Sequence, residues 1–267
     1  VGINVSASRV LFNDTNGHLV RLFDVFGRLD KEQVFDGINR IIDRFGLSRS
    51  WEKGYAYYQC GSSSDGLGGY NREPFLALRS AFNGRKEHDD TYYLMLYVLI
   101  VYSFNNQIRF NRKGEFNLPV GKRDFNPRMQ RKLSMFLDRL KSGDYRFSNL
   151  DFKEIRPEEF SRDTFFYVDP PYLITCATYN EQNGWTEHDE RDLLAYLDRV
   201  DSCGMRFALS NVGESRGRKN EILKEWVERH EGHYRMIPLD YSYSNSNYHI
   251  KDRGGATKEV LVVNYGG

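Results

Sequence analysis

The sequence lacks the features that would place it in a membrane-spanning, secreted or metal-dependent class. It contains no apolar run long enough to cross a bilayer, and no signal peptide is predicted. Its three cysteines, Cys60, Cys176 and Cys203, do not have the spacing of metal ligands and do not suggest a disulfide framework. We therefore expect no membrane partner, no metal site and a reducing, cytoplasmic location.

A large excess of charge is also absent. The 267 residues carry a net charge of +1, so any nucleic-acid surface must be a local basic patch. Aromatic residues, by contrast, are abundant, with 18 Phe, 18 Tyr and 3 Trp. Many of them must form a core, and some could stack on bases. The length suits one α/β domain with an insertion.

The most informative stretch is a short strand that ends at an acid and two prolines. Residues 165–168 are four consecutive β-formers and predict a buried strand, which Pro170 and Pro171 end because neither can donate to a ladder. Asp169 and Tyr172 then follow the carboxyl end of a strand, where ligands bind in open α/β sheets. A carboxylate and a rigid carbonyl can accept both hydrogens of an exocyclic amine, and a ring can stack on a flipped base. A buried strand with a purely structural turn is the alternative.

A second acid follows a strand near the start of the chain. The predicted strand over residues 9–12 is followed by Asp14, and a helix is predicted over residues 17–27. An acid in this position commonly binds the ribose hydroxyls of a nucleoside cofactor. Asp14 as the N-cap of the helix is an equally good interpretation.

A basic segment lies between the two halves of the chain. Alternating residues around 112–114 predict a β-hairpin over residues 104–123. Five cations fall within fifteen residues: Arg109, Arg112, Lys113, Lys122 and Arg123. Arg, Asn and Gln contact base edges, and Lys and Arg bind phosphates, so the hairpin is predicted to bind DNA. A solvated basic hairpin without a partner is the alternative.

The remaining elements follow from apolar periodicity. Helices are predicted over residues 31–45, 74–82, 91–104, 129–140, 186–200 and 221–229. Strands are predicted over residues 145–152, 205–209, 234–239 and 259–264, and loops over 61–69, 175–184, 213–219 and 241–250. The alternation of strands and helices on both sides of the basic segment predicts an α/β fold, a doubly wound sheet with an inserted subdomain.

Together these stretches resemble the Dam-type DNA adenine-N6 methyltransferases of the alpha group, close to its phage enzymes. The resemblance covers most of the chain and rests on Phe12-Asn13-Asp14, Ile108-Arg109-Phe110-Asn111, Gly114-Glu115-Phe116, Pro119-Val120-Gly121-Lys122-Arg123, Tyr167-Val168-Asp169-Pro170-Pro171-Tyr172, Thr178-Tyr179-Asn180 and Ser210-Asn211. It implies a Rossmann-like methyltransferase sheet with helices on both faces, formed by residues 1–30 and 145–267. Residues 31–144 would form an inserted helical and β-hairpin DNA-recognition subdomain.

The resemblance also implies roles for individual residues, with S-adenosylmethionine as the cofactor. The catalytic residues would be Asp169, Pro170, Pro171 and Tyr172. The cofactor would be bound by Asp14 at its ribose, by Asp151 and Phe152 at its adenine, and near Asp169 and Tyr179. The DNA would be contacted by Arg109, Asn111, Pro119, Lys122 and Arg123.

The implied activity is methylation of adenine N6 in double-stranded DNA, commonly at GATC, in a bacterial or phage-infected cell. This reaction needs no metal, and the sequence has no convincing metal cluster. Cytosine-N4 methylation and a catalytically inactive DNA-binding remnant stay open as alternatives. Because the family begins with a Gly-Lys segment and a Phe-x-Gly-Gly-type turn, the resemblance further predicts a chain truncated just before Val1, without its donor-binding strand.

Overall fold

The structure is a computed structural model that describes residues 2–60, 66–175, 184–239 and 257–266. The chain forms two compact units, residues 1–150 and 151–267. Each unit combines parallel strands with helices, which confirms the predicted α/β class. Within the described residues, no helix is long and apolar enough to cross a bilayer.

The first unit contains a pair of parallel strands, β1 (Arg9–Asn13) and β2 (Asp144–Ser148). Its helices are α1 (Gly17–Arg28), α2 (Lys31–Phe45), α3 (Ser50–Lys53), α4 (Gly68–Asn83), α5 (Asp90–Tyr102) and α6 (Pro127–Ser142). Short 3-10 turns lie at Gly2–Asn4, Ala56–Tyr58 and Phe104–Asn106. Because β1 pairs with β2, residues 9–13 and 144–148 lie side by side, on either side of the long helical segment that separates them in sequence.

Helix α5 is the centre of the first unit. It is apolar on all sides, as a buried helix must be, and Leu96 and Leu99 are completely buried. Helices α1, α2 and α4 pack around it. The hydrophobic core also includes Phe116 and Leu118 of the predicted hairpin, so the basic segment is anchored on the helices.

The second unit is built on a mixed sheet with the strand order β3-β4-β7-β6. Its elements are β3 (Phe165–Val168), α7 (Glu187–Ser202), β4 (Arg206–Ser215), β5 (Arg218–Lys219), α8 (Glu221–Arg229), β6 (Arg235–Leu239) and β7 (Lys258–Val263), with 3-10 turns at Phe152–Glu154 and Pro157–Glu159. Strands β3 and β4 are parallel, whereas β7 is antiparallel to both β4 and β6. Helices α7 and α8 pack on β4 through one core, in which Leu197 and Trp226 are buried with Phe207.

Strand β3 is not the buried strand that its composition predicts. It stands at one end of the strand order of the second unit, where its partner among the described strands is β4. One face carries Phe166 and Val168, which pack against the core of this unit, whereas Phe165 and Tyr167 on the other face are exposed. The run of four apolar residues therefore correctly predicted a strand, but only one face of that strand is covered.

Several predicted boundaries are also wrong. Strand β4 continues to Ser215 instead of ending at residue 209, because residues 210–212 pair with β7. The loop predicted over residues 213–219 is instead the tight turn of a hairpin between β4 and β5, with positive φ angles at Arg216 and Gly217.

Two elements of the first unit, α4 and β2, also have bounds that differ from the predicted ones. Helix α4 begins at Gly68, six residues before Pro74, because the Leu67 N–H is held by the carbonyl of Lys122 at 3.0 Å. Strand β2 ends at Ser148 because its partner β1 ends at Asn13, and a 3-10 turn begins at Phe152. The loop predicted over residues 241–250 lies outside the described residues.

Candidate active site and nucleic-acid interface

The acid-Pro-Pro-Tyr motif lies at the carboxyl end of β3, as predicted. The parallel register pairs Val168 with Leu209, so the next residues, Asp169 and Ser210, lie side by side. The Tyr172 hydroxyl donates to Asp169 Oδ1 at 2.8 Å and lies 3.2 Å from Ser210 Oγ. Asp169 itself is exposed. The turn thus presents an accessible carboxylate beside a phenol that is held at two points.

The phenol of Tyr172 is a hydrogen-bond donor at neutral pH. The pKa of Tyr172 is raised to about 12, mainly by burial; the hydrogen bond with Ser210 lowers it, whereas the neighbouring Asp169 adds to the rise. The chain then turns, with the Thr175 N–H bonded to the Tyr172 carbonyl at 3.0 Å, and Ile174 is buried below it. Pro170 is half-buried and Pro171 is exposed.

A buried carboxylate supports this edge of the sheet. Glu190 of α7 is completely buried and accepts hydrogen bonds from Trp185 Nε1 at 2.6 Å, Asn211 Nδ2 at 3.0 Å and Asn220 Nδ2 at 2.9 Å. It therefore connects α7 with β4 and with the N-cap of α8. No sequence pattern indicates this role for Glu190, because an acid in the first turn of a helix is usually exposed and stabilised there by the helix dipole.

Asp14 follows β1 on the surface of the first unit. Its N–H bonds the Ser148 carbonyl at 3.2 Å, and its carboxylate accepts the Asn16 N–H at 2.7 Å. The helix cap is Asn16, whose side chain accepts from the N–H groups of His18 and Leu19. The interpretation of Asp14 as the N-cap is therefore wrong. Its exposed carboxylate has further acceptor positions.

Asp151 and Phe152 belong to the second unit. Asp151 caps a 3-10 turn in a capping box with Glu154, and its side chain accepts the Lys153 N–H at 2.9 Å. The half-buried ring of Phe152 lies 5.7 Å from the ring of Tyr196, edge to face. Tyr179 lies outside the described residues. No group of three or more His, Cys, Asp or Glu among the described residues is arranged to hold a metal ion.

The basic segment forms the predicted hairpin, although its pairing is limited to isolated bridges. Ser103 pairs with Val120 and Phe110 pairs with Phe116, both antiparallel. The turn lies where the alternation predicts it, with Gly114 at a φ of 76°. The hairpin is fixed to α4 because the amide of Asn83 bonds the backbone of Phe116 in both directions, at 2.9 and 3.1 Å.

The residues predicted to contact DNA occupy two environments in the hairpin. Pro119, Lys122 and Arg123 are exposed. Arg109 is half-buried, and it bonds Asn117 across the hairpin through Nε at 2.7 Å and Nη2 at 3.1 Å. The side chain of Asn111 accepts two backbone N–H groups of the turn. Arg109 and Asn111 therefore also maintain the shape of the hairpin.

A histidine connects the hairpin with α1. The ring of His18 stacks on Phe110 with 4.3 Å between centroids, and it lies 6.0 Å from the ring of Tyr92. Burial lowers the pKa of His18, and the nearby His88 lowers it further. Phe110 stands between Arg109 and Asn111, so helix α1, which begins just after Asp14, supports the predicted DNA-contacting residues.

Comparison with known proteins decides the family. The model of the D12 class N6 adenine-specific DNA methyltransferases matches residues 1–244. The chain belongs to this family. The predicted adenine-N6 methyltransferase resemblance is thereby confirmed, and the α/β architecture is consistent with the Rossmann-like fold expected for such a chain.

Named relatives of this D12-class chain include restriction-modification methylases. It is 35% identical over 271 residues to the type II methyltransferase M.FokI of Planomicrobium okeanokoites, with 99% of the chain and 37% of that protein covered. It is 34% identical over 271 residues to the modification methylase StsI of Streptococcus sanguinis, with the same coverage. A DNA adenine methylase of Vibrio cholerae is 30% identical over 140 residues, 48% of the chain and 47% of that protein. The chain thus spans 37% of the length of M.FokI and StsI.

Proposed function

We propose that this chain carries the catalytic and target-recognition parts of an S-adenosylmethionine-dependent methyltransferase that modifies adenine N6 in double-stranded DNA. It would act in the cytoplasm of a bacterial or phage-infected cell, as the modifying member of a restriction-modification pair. The observation that carries the proposal is the exposed Asp169 carboxylate at the carboxyl end of β3, with Tyr172 held beside it. Family membership favours adenine as the target base.

The residues available for the methyl donor fit its chemistry. Asp14 offers an exposed carboxylate at a strand end, which suits a pair of ribose hydroxyls. Asp151 and the half-buried ring of Phe152 offer an acceptor and an aromatic face for its adenine. When bound, S-adenosylmethionine supplies a methyl group on a sulfonium, which is already a good leaving group.

The protein's contribution to methyl transfer is positioning and electrostatics. An exocyclic amine is a poor nucleophile, because its lone pair is delocalised into the ring. Asp169 and the carbonyl of Pro170 would accept the two amino hydrogens and so favour the tetrahedral nitrogen that attack requires. Pro171 stiffens the turn, and the ring of Tyr172 would stack on the base after it leaves the duplex.

The hairpin would hold the duplex. The exposed Lys122 and Arg123 suit phosphate contacts, whereas Arg109, Asn111 and Pro119 would lie towards the bases. We assign DNA recognition to residues 31–144, and catalysis to residues 1–30 and 145–267. Pairing of β1 with β2 across that insertion supports the division.

The test is methylation of plasmid DNA by the purified chain with S-adenosylmethionine, followed by long-read sequencing that maps methylated bases. N6-methyladenine at a defined sequence is the expected result, with GATC the first candidate. Asp169→Ala should abolish methylation and leave DNA binding intact. The control is Asp163→Ala, which removes an exposed acid just before β3 and should retain activity.

Other results would favour the alternatives. A methyl group found on cytosine N4 would show that cytosine, and not adenine, is the target base. Sequence-specific DNA binding by a wild-type chain that does not methylate would favour the inactive DNA-binding remnant. Normal turnover by Asp169→Ala would refute the proposed role of the carboxylate.

A further inference from the structure

The hydroxyl group of Tyr172 lies between two hydrogen-bonding partners. Its oxygen is 2.8 Å from Asp169 Oδ1, to which it donates, and 3.2 Å from Ser210 Oγ. A phenol has one hydrogen to donate, so a strong donated bond to Asp169 and a strong donated bond to Ser210 exclude each other. The Ser210 hydroxyl can act as donor or acceptor, and it can therefore accommodate either arrangement.

The bond from Tyr172 to Asp169 competes with the proposed chemistry. Asp169 must accept a hydrogen of the target amino group, and a hydrogen bond already donated to a carboxylate stabilises its charge. The carboxylate is then a weaker acceptor for the incoming amine. Turnover should therefore be faster if the tyrosine hydroxyl can turn away from Asp169. The hydroxyl then needs a second hydrogen-bond partner, because a half-buried hydroxyl without one is costly.

We infer that Ser210 is a positioning residue that receives the Tyr172 hydroxyl when the target amine binds Asp169. Only the torsion of the C–O–H group changes, and the proton stays on Tyr172. Ser210 suits this role because it is only 8% exposed and lies within β4, directly beside the end of β3. The strand therefore holds the backbone of Ser210, and the serine oxygen lies 3.2 Å from the phenol oxygen.

The inference rests on the proposed function, so wild-type methylation is measured first. Ser210→Ala should then lower kcat about tenfold, the value of one hydrogen bond in the transition state, with KM for DNA unchanged. Ser210→Thr keeps the hydroxyl and should restore kcat. Ser215→Ala is the matched control, because Ser215 is a buried serine of the same strand whose hydroxyl bonds Thr257.

A double-mutant cycle separates positioning from a general loss of structure. Tyr172→Phe removes the hydroxyl that Ser210 is inferred to receive, so adding Ser210→Ala to it should cost no further activity. Ser210→Cys is a second variant of nearly the same size. Because sulfur is a weak acceptor, it should reproduce the loss of kcat in a folded chain.

The outcomes are distinct. If the wild-type chain does not methylate DNA, the proposed function fails and the inference fails with it. If the wild type is active but Ser210→Ala and Ser210→Cys turn over as fast as Ser215→Ala, the inference alone is overturned. Additive losses in the double mutant would also overturn it, because Ser210 would then act independently of Tyr172.

Discussion

Replacing Glu190 is the sharpest test of how the sheet edge that carries Asp169 and Ser210 is held in place. The carboxylate is completely buried, and all three of its partners, Trp185, Asn211 and Asn220, are hydrogen-bond donors. It therefore acts only as an acceptor in these bonds. A glutamine at this position preserves the volume but replaces one acceptor oxygen with an NH2 group.

The magnitude follows from counting these bonds. In Glu190→Gln, the remaining carbonyl oxygen can keep the two asparagine donors that share Oε1, whereas the new NH2 would face the indole N–H of Trp185. Losing one hydrogen bond to a charged group and opposing two donors should cost about 2–3 kcal/mol. Glu190→Ala leaves all three donors without their acceptor and should cost about 3–5 kcal/mol, as in other broken buried networks.

Thermal unfolding followed by circular dichroism measures the difference. At about 2–4 °C for each kcal/mol in a chain of this size, Glu190→Gln should lower Tm by about 4–12 °C. Glu187→Gln changes an exposed residue at the start of the same helix and should alter stability by less than about 0.5 kcal/mol. Equal Tm values for Glu190→Gln and Glu187→Gln would refute the structural role of the buried carboxylate.

Three further predictions concern the first unit. Arg109→Ala should reduce binding to the recognised duplex more than to a mismatched one, whereas Lys122→Ala should weaken both about equally, as titrations at fixed salt would measure. Asp124→Asn should raise Tm at pH 7, because burial raises the pKa of Asp124 and disfavours its charged form in the folded state. Gly121→Ala should cost about 1–3 kcal/mol in urea unfolding, because its Cβ would overlap the carbonyl of Ser103, whose carbon lies 2.7 Å away.

Each of these predictions has a result that would contradict it. Equal losses on both duplexes for Arg109→Ala would exclude contact with base edges. The Tm advantage of Asp124→Asn should shrink as pH falls through the raised pKa of Asp124, since the wild-type carboxyl then becomes neutral too; a constant difference would contradict burial as the cause. For Gly121→Ala, the control is Gly27→Ala, where the ideal Cβ meets no described atom within 4 Å and a gain of about 0.5–1 kcal/mol is expected.

Local patterns were sufficient to predict much of the fold. Helix α2 begins and ends where its apolar spacing predicts, and the Thr186–Asp189 capping box starts α7 as expected. Both signals involve residues a few positions apart, which the chain itself brings together. The turn at Gly114 was predictable for the same reason, since its positive φ favours glycine.

Partners that are distant in sequence determine the bounds of the strand and helix that local patterns predicted wrongly. Ser210 and Asn211 are polar and predicted the end of a strand, yet β4 continues through them because β7 supplies backbone partners. Similarly, Gly68 and Gly69 predicted a loop, whereas the bond between Leu67 and Lys122 starts a helix there. Such partners lie about fifty residues away and leave no periodic signal at the site itself.

Asparagine side chains hold the backbone beside several of the proposed site residues, and they do so in a similar way. A primary amide offers acceptors and donors at one end, so a single side chain can bond a neighbouring segment in both directions. Asn13 bonds both the N–H and the carbonyl of Leu150. Asn83 does the same to a hairpin residue, and Asn211 bonds a buried carboxylate. Because Asp14 and Ser210 are adjacent in sequence to Asn13 and Asn211, these amides fix the backbone beside the proposed donor-binding and positioning residues. An asparagine at an apparent strand end can therefore indicate a joint between segments and not only a turn.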